Sequence, residues 1–295
     1  MPVEILQKQP LGKFSFYGIG GPADELIRVG ETEDLANLWA ETCRKNIPKF
    51  VLGSGSNTVF ADTGFRGRVF LLTNQTIENS ENTWWVSAGV ELQKLVEASA
   101  AAGFADLQNL SGIPGTVGGA VRGNAGAFGS EIGDVIEQVE FVDETGTIRV
   151  LEGKDGQWQY RSSVFKKNPN WCVTRVQMRF KKKDDPEKLS QEVRQLKADR
   201  WKKYPPGRSG GSFFKNPEGN YAGKLLEDAG AKGDRIGDIE ISDRHANFFL
   251  NLGNGKQSDL LQLARKWRDI VAEKWGVTLE PEVMLVDERG DRVEL

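Results

Sequence analysis

The stretch 112-GIPGTVGGAVRGNAGAFGSEIGD-134 decides how this chain is read. Glycines at positions 112, 115, 118, 119, 123, 126 and 129 leave few side chains to hold a helix or a strand, so a long loop without regular elements is predicted. Ile113, Val117, Val121, Phe128 and Ile132 make the segment too apolar for a disordered linker. Ordered loops of this length usually serve a function, and their buried backbone groups need partners. A core-facing loop that offers its amides, together with Asn124, to the heteroatoms of a flat ligand meets both conditions; a purely structural loop is the alternative.

The rest of the chain limits what that ligand is for. The chain has 295 residues, enough for two or three domains with substantial cores, and its 34 glycines exceed the usual share. A net charge of −3 gives no electrostatic footprint for nucleic acid, and Lys181-Lys182-Lys183 reads as the end of a strand. The opening MPVEILQKQP lacks an apolar signal core, and no stretch approaches the roughly 20 apolar residues of a membrane span. A soluble cytoplasmic protein is expected. With two cysteines, Cys43 and Cys172, and a single histidine, neither a disulfide framework nor a metal site is expected. Without a secretory signal, the sites at Asn74 and Asn109 that match glycosylation acceptors carry no weight.

Along the chain, Thr32 is placed to cap a helix with Leu35, Leu38, Trp39 and Cys43 on one face, ending before Pro48. The strand Phe50-Val51-Leu52 then runs into Gly53-Ser-Gly-Ser-Asn57, and a further strand spans 68–72. Beyond a strand at 83–87 lies a helix over 91–102, stopped by Gly103. After the glycine segment, 135–142 and 147–151 form a hairpin around Asp143-Glu-Thr-Gly146, 171–180 alternates as a strand, and Pro186 opens a helix to about Lys203. The last part holds a helix over 221–229, strands at 236–241 and 246–252, a helix over 258–275 and a strand at 279–286. Hairpins mixed with helices give an α+β fold, not a doubly wound parallel sheet.

Two short motifs compete for the chemistry. In Gly53-Ser-Gly-Ser-Asn57 the glycines let successive amides approach a phosphate, although Thr58 stands where a dinucleotide fingerprint wants a third glycine; a sharp turn is the plain reading. Gly207-Arg208-Ser209-Gly210-Gly211 spells the nucleophile elbow of a hydrolase, and Ser209, Asp228 or Asp234, and His245 follow in the order of a catalytic triad. However, an elbow must follow a buried strand, and Asp199-Arg-Trp-Lys-Lys-Tyr-Pro-Pro206 is a polar helix end broken by prolines. His245 therefore reads first as structural.

Gly53-Ser-Gly-Ser-Asn57, Ile113-Pro-Gly-Thr-Val-Gly-Gly-Ala120 with Asn124-Ala-Gly126, Tyr160-Arg-Ser-Ser-Val-Phe-Lys166, Gly211-Ser-Phe-Phe-Lys-Asn-Pro217 and Pro281-Glu-Val283 occur in one order from Phe16 to Val286. In that order the chain resembles the UDP-N-acetylenolpyruvoylglucosamine reductases, the MurB family. The resemblance implies a vanillyl-alcohol-oxidase-type FAD-binding fold of two α+β subdomains, 1–75 and 76–205, with a substrate-binding α+β domain over 206–281 and a C-terminal strand, 282–295, returning to the first. It implies FAD as cofactor, NADPH as reductant, and a UDP-linked enolpyruvyl sugar reduced in peptidoglycan precursor synthesis; no nucleic acid, membrane or metal partner is expected, and a monomer is favoured without the sequence fixing the oligomeric state.

The family's roles map onto this sequence by motif. Arg161 would bind the substrate carboxylate, and Glu282, protonated or through a hydrogen bond, would stabilise the enolate; Ser212 would donate a proton to carbon. The cofactor would be held by Gly53, Ser54, Gly55, Ser56, Asn57, Thr58, Pro114, Gly115, Thr116, Gly118, Gly119, Asn124 and Gly126. Lys215, Asn216 and Lys224 would bind UDP, with Arg200, Lys203 and Arg208 on the approach. Lys224 follows Gly223 as in a phosphate loop, but Glu218 replaces the first glycine. Between Phe165 and Phe180 there is no room for the tyrosine-bearing loop of some members, so the chain resembles the shorter type. Two rivals remain: an FAD-linked oxidase of the same fold, which does not need the Ser212 and Glu282 pair, and a non-catalytic nucleotide-binding protein.

Overall fold

The computed structural model describes residues 3–295. The chain divides into two compact units. The first comprises residues 3–5, Ile27–Ser54 and Val69–Trp201; the second comprises Leu6–Leu26, Gly55–Arg68 and Lys202–Leu295. Strands Glu4–Pro10, Pro22–Val29 and Phe65–Leu72 each pass from one unit into the other along the chain.

In the first unit an antiparallel five-stranded sheet runs in the order Ile148–Glu152, Ile136–Val142, Cys172–Arg179, Thr83–Ser87, Ile77–Ser80. The predicted hairpin is present, and its turn is closed by Asp143, whose Oδ1 accepts from the amides of Thr145 and Thr147. Helix Leu92–Ala101 buries Leu92, Leu95, Val96 and Ala100 in the core of this unit and ends before Gly103, which takes φ +83°. At one end of the core Phe104 stacks on Phe180 at 5.0 Å with Trp84 edge-on to both. Helix Thr32–Arg44 begins with Glu31 in the cap position and no side-chain cap bond, so Thr32 is its first residue and not its cap. Cys43 and Cys172 are both free thiols.

The glycine segment is more regular than its composition predicts. It contains helix Val117–Gly123, the hairpin Gly126–Ala127 with Ser130–Glu131, and a 3-10 turn at Ile132–Val135. The helix forms because Thr116 caps it, its Oγ1 accepting from the amide of Gly119 at 3.3 Å, and because Val117, Ala120 and Val121 fall on one buried face. Burial of those three side chains outweighs the poor helix propensity of the glycines. Phe128, counted among the apolar residues that order the segment, is exposed.

The second unit packs helices Ala222–Ala229 and Gln257–Trp275 with a three-stranded antiparallel sheet, Arg235–Ile236, Ile239–Ile241 and Phe249–Asn251. The single strand predicted over 236–241 is a hairpin, because Gly237 turns the chain at φ +56°. Strand Met284–Val286 pairs in parallel with Thr58–Phe60. Gln257 ties both to the last long helix by donating to the carbonyls of Val59 and Val286, while Asp62 caps that helix by accepting from the amides of Gln257 and Ser258. Among the described residues, no helix is long and apolar enough to cross a membrane.

Candidate functional site

In the first unit the two glycine motifs meet. A Cβ on Gly53 would lie 2.7 Å from Thr116 Oγ1, so only glycine fits there. The adjacent Ser54 hydroxyl is buried without a hydrogen-bond partner in the chain, an arrangement that asks for a ligand acceptor or donor. Above the capped helix, Gly119 is exposed, and a Cβ on it would meet only Thr116 Oγ1, at 3.5 Å; one on Gly123 would meet nothing within 4 Å. These two positions, one helical turn apart, leave a bare strip of main chain next to Gly53 and Ser54. Gly118 differs: its Cβ would press on Ala88 Cβ at 2.9 Å, so it serves packing. The amides of Val117 and Gly118 are taken by the carbonyls of Val90 and Ala88, and the carbonyl of Gly115 accepts from Leu92. What remains for a ligand here is the bare strip, the Ser54 and Thr116 hydroxyls, and the exposed ring of Pro114.

Asn124 does not reach outward. It is fully buried at φ +44°, its amide donates to Glu131 and to the carbonyl of Gln159, and its Oδ1 accepts from Gly133. Its side chain thus fixes the glycine segment to the turn that carries Arg161. That turn, Gln159–Ser162, closes by reciprocal backbone bonds of 3.0 and 2.9 Å and puts Arg161 at φ +56°, a left-handed conformation that arginine rarely adopts. The guanidinium donates to the carbonyl of Gly126 at 3.3 Å and lies 5.2 Å from the Tyr160 ring centre, while Lys166 holds the Arg161 carbonyl at 2.7 Å. Arg161 and Gly126, distant in sequence, are therefore neighbours.

In the second unit Ser212 and Glu282 lie on paired segments. The amide of Glu282 donates to the carbonyl of Phe213 at 2.7 Å, the amide of Lys215 to Glu280, and Phe214 bridges Pro281. Pro281 and Val283 are buried, so Glu282 between them points away from the core. Asn57 donates its amide to the Glu282 carbonyl at 3.1 Å and accepts from Met284 through its own, which places the end of the first glycine motif against Glu282. Gly55 is required by the fold, since at φ +69° its Cβ would fall 1.8 Å from the Phe14 carbonyl oxygen. Ser56 and Thr58 lie on either side of Asn57, with Thr58 opening the strand that Met284–Val286 joins.

The three residues assigned to UDP each have a partner in the chain. Lys215 forms a 2.9 Å ion pair with Glu280, Asn216 accepts from the first amide of helix Ala222–Ala229, and Lys224 pairs with Asp228 along that helix at 2.8 Å. Glu280 holds Lys215, and the Lys215 ammonium keeps the Glu280 carboxyl below its usual range. Glu280 was not singled out in the sequence, because a carboxylate beside Pro281 carries no signal of its own. Nor was Asn247, which is buried and clamps both the amide and the carbonyl of Phe214, its polarity beside the apolar run Phe248-Phe249-Leu250 being the one available clue.

The hydrolase triad does not assemble. His245 Nδ1 accepts from the amide of Asn247, whereas a triad histidine must donate from that nitrogen to a carboxylate. Asp228 is bonded to Lys224, and Asp234 to Lys266 and Trp267. Burial favours the neutral imidazole, which packs on Phe248 and against Gly223. Ser209 sits before Gly210, a residue that packs against the Tyr17 ring, and no strand enters the turn.

Comparison with known proteins accounts for both units. Residues 23–152 match the model of an FAD binding domain, and residues 201–286 match that of the C-terminal domain of UDP-N-acetylenolpyruvoylglucosamine reductase. The chain is 37% identical over 288 residues to the UDP-N-acetylenolpyruvoylglucosamine reductase of Caldanaerobacter subterraneus subsp. tengcongensis, covering 97% of this chain and 95% of that protein. It is 38% identical over 282 residues to the protein of the same name from Rubrobacter xylanophilus, with 95% and 94% covered. The crystal structure of UDP-N-acetylenolpyruvylglucosamine reductase from Thermus caldophilus superposes with a TM-score of 0.81 at 36% identity, over 97% of this chain and 99% of that one.

Proposed function

This chain belongs to the UDP-N-acetylenolpyruvoylglucosamine reductase family and is an FAD-dependent reductase of peptidoglycan precursor synthesis; from that premise we propose which of its residues perform the reaction. The substrate is the enolpyruvyl ether of a UDP-linked sugar, reduced to the lactyl ether at the expense of NADPH. When bound, FAD supplies the two-electron chemistry. Gly53, Ser54, Thr116 and Gly119 would lie along its pyrophosphate and ring system: the orphaned Ser54 hydroxyl and the strip left bare at Gly119 and Gly123 fit a ligand that approaches main chain closely. Asn124 and Gly118 support that cradle from within. Arg161 grips the substrate carboxylate, for which its planar fork and permanent charge suit it. Glu282 stabilises the enolate through a hydrogen bond, and Ser212 delivers the proton to carbon.

The observation that carries this reading is the backbone bond from Glu282 to the Phe213 carbonyl, which sets Glu282 beside the residue that follows Ser212; an alcohol oxidase has no use for that pair. Functionally, 1–75 and 76–205 would hold the cofactor and 206–281 the UDP-sugar, with Lys215, Asn216 and Lys224 nearest the diphosphate, in a cytoplasmic enzyme. The test is the visible spectrum of the purified protein without oxygen. Bleaching of the flavin band by NADPH and its return on adding the enolpyruvyl UDP-sugar is expected. Bleaching without return would remove the substrate, and failure to take up FAD would remove the reading.

The glycines supply a second test. Gly119→Ala replaces a helical glycine facing open space, which should raise stability by about 0.5–1 kcal/mol while weakening FAD retention. Gly118→Ala drives a methyl into Ala88 and should cost about 1–3 kcal/mol with no direct effect on the cofactor. Thermal melts of apoprotein and FAD titrations separate the two. Equal FAD affinity in Gly119→Ala and wild type would remove the cofactor from this strip.

A further inference from the structure

Phe128 stands where folding gives it no reason to be. Its ring is 71% exposed, and at φ +51° it shares with Gly129, at φ +78°, the centre of the two-residue turn between Gly126–Ala127 and Ser130–Glu131. Two left-handed residues make this the type of turn that favours Asn-Gly; a phenylalanine there is strained, and its exposed ring is not repaid by packing. Strain that persists at one point in a well-packed loop is a mark of function.

The ring's one aromatic or cationic contact among the described residues is the Arg200 guanidinium, 5.6 Å from its centre. Arg200 is itself unbalanced. Among the described residues no carboxylate pairs with it and its buried Nε–H has no partner, while its Nη2 reaches the Asn109 carbonyl at a long 3.3 Å. Its methylenes lie over Gly112, where a Cβ would come within 3.0 Å of Cδ, so the cation is held at the start of the same glycine segment whose far hairpin carries Phe128. That hairpin is tied through the Gly126 carbonyl to Arg161.

We propose that Phe128 and Arg200 form a subsite for a nucleotide, the ring stacking on a planar heterocycle and the guanidinium taking a phosphate. An exposed aromatic face beside an uncompensated guanidinium matches a ligand that is flat at one point and anionic at the next. The proposal rests on the reading of Arg161 and Gly126 as site residues, and it names what is gripped beside them. Besides FAD, which the proposed reading seats along Gly53 and Gly119, two molecules of the proposed reaction carry this chemistry, the nicotinamide dinucleotide and the UDP-sugar, and both offer a ring and phosphates.

The test uses Phe128→Asn and Arg200→Gln in FAD-loaded full-length protein. Asparagine suits the turn, so Phe128→Asn should melt about 2–4 °C higher than wild type. Stopped-flow flavin reduction against NADPH concentration, and reoxidation against UDP-sugar concentration, give a dissociation constant for each nucleotide. One of the two should rise about tenfold or more in Phe128→Asn. The same constant should rise in Arg200→Gln and lose much of its dependence on salt. A rise in the first arm identifies the dinucleotide as occupant, and a rise in the second identifies the UDP-sugar. Unchanged constants in both arms overturn the proposal, and so does loss of FAD from Phe128→Asn, which would place the ring at the cofactor. Wild type that neither bleaches nor recovers its flavin band would instead defeat the underlying reading.

Discussion

Replacing Ser212 with alanine is expected to leave flavin reduction by NADPH nearly intact and to slow overall turnover by ~10²- to 10⁴-fold, the range for loss of a positioned proton donor. The expectation follows from how Ser212 is held. Phe213 and Phe214 immediately after it are buried, Phe213 stacked 4.5 Å from Phe249, and the Phe213 amide bonds to the Asn247 carbonyl while Ser212 itself bridges Phe248. The backbone that carries the hydroxyl is thus fixed by groups that alanine leaves untouched. Only the oxygen is lost, and with it, on the proposed reading, the proton delivered to carbon. A serine is a weak acid, and Lys215, the cation of its own motif, is already paired with Glu280. Rapid mixing without oxygen reads the two half-reactions separately, and equal slowing of both would remove Ser212 from this role. Ser209→Ala is the control: with no triad geometry at His245, it should keep most of the activity.

The parts of the fold that were legible are those where one force acts alone. The hairpin around Asp143 and the helices over 91–102 and 258–275 announce themselves through apolar period and a terminating glycine, and each lies within a residue or two of its predicted bounds. Strand Glu4–Pro10 was not legible, since Glu4, Ile5, Gln7, Lys8 and Pro10 are all exposed and no alternation survives. Helix Val117–Gly123 was not legible for the opposite reason: its composition argues against it, and tertiary burial of Val117, Ala120 and Val121 decides the matter. The site divides in the same way. Motif order pointed to Arg161, Ser212 and Glu282, but residue type cannot say where an amide points. Asn124, expected to meet a ligand, spends its side chain on Glu131, Gln159 and Gly133. Phe128 counts in the sequence only as one of the apolar residues that argue against disorder, and its backbone angle and exposure come from the structure.

Arg161 carries the other large effect, and its two substitutions should part stability from activity. Binding a carboxylate with a fork uses two charge-assisted hydrogen bonds, each worth about 1.5–3 kcal/mol. Arg161→Lys keeps the charge but only one directed bond, and kcat/KM for the UDP-sugar should fall by roughly 10- to 100-fold. Arg161→Gly loses both, and the fall should reach ~10²- to 10⁴-fold. Stability should move differently. The left-handed φ of +56° costs a non-glycine residue about 1–2 kcal/mol, a cost that glycine does not bear. Against this stand the contacts of the half-buried guanidinium, among them those to the Gly126 carbonyl and the Tyr160 ring. The melting temperature of Arg161→Gly should therefore hold or rise while its activity nearly vanishes, and flavin reduction by NADPH should persist in both variants. A glycine variant that melts far below wild type, or a lysine variant as fast as wild type, would make Arg161 a structural residue. The opposite signs expected here have one physical source: the turn would fold better around glycine, and on the proposed reading it keeps an arginine so that the fork, held beside Gly126, can meet a carboxylate.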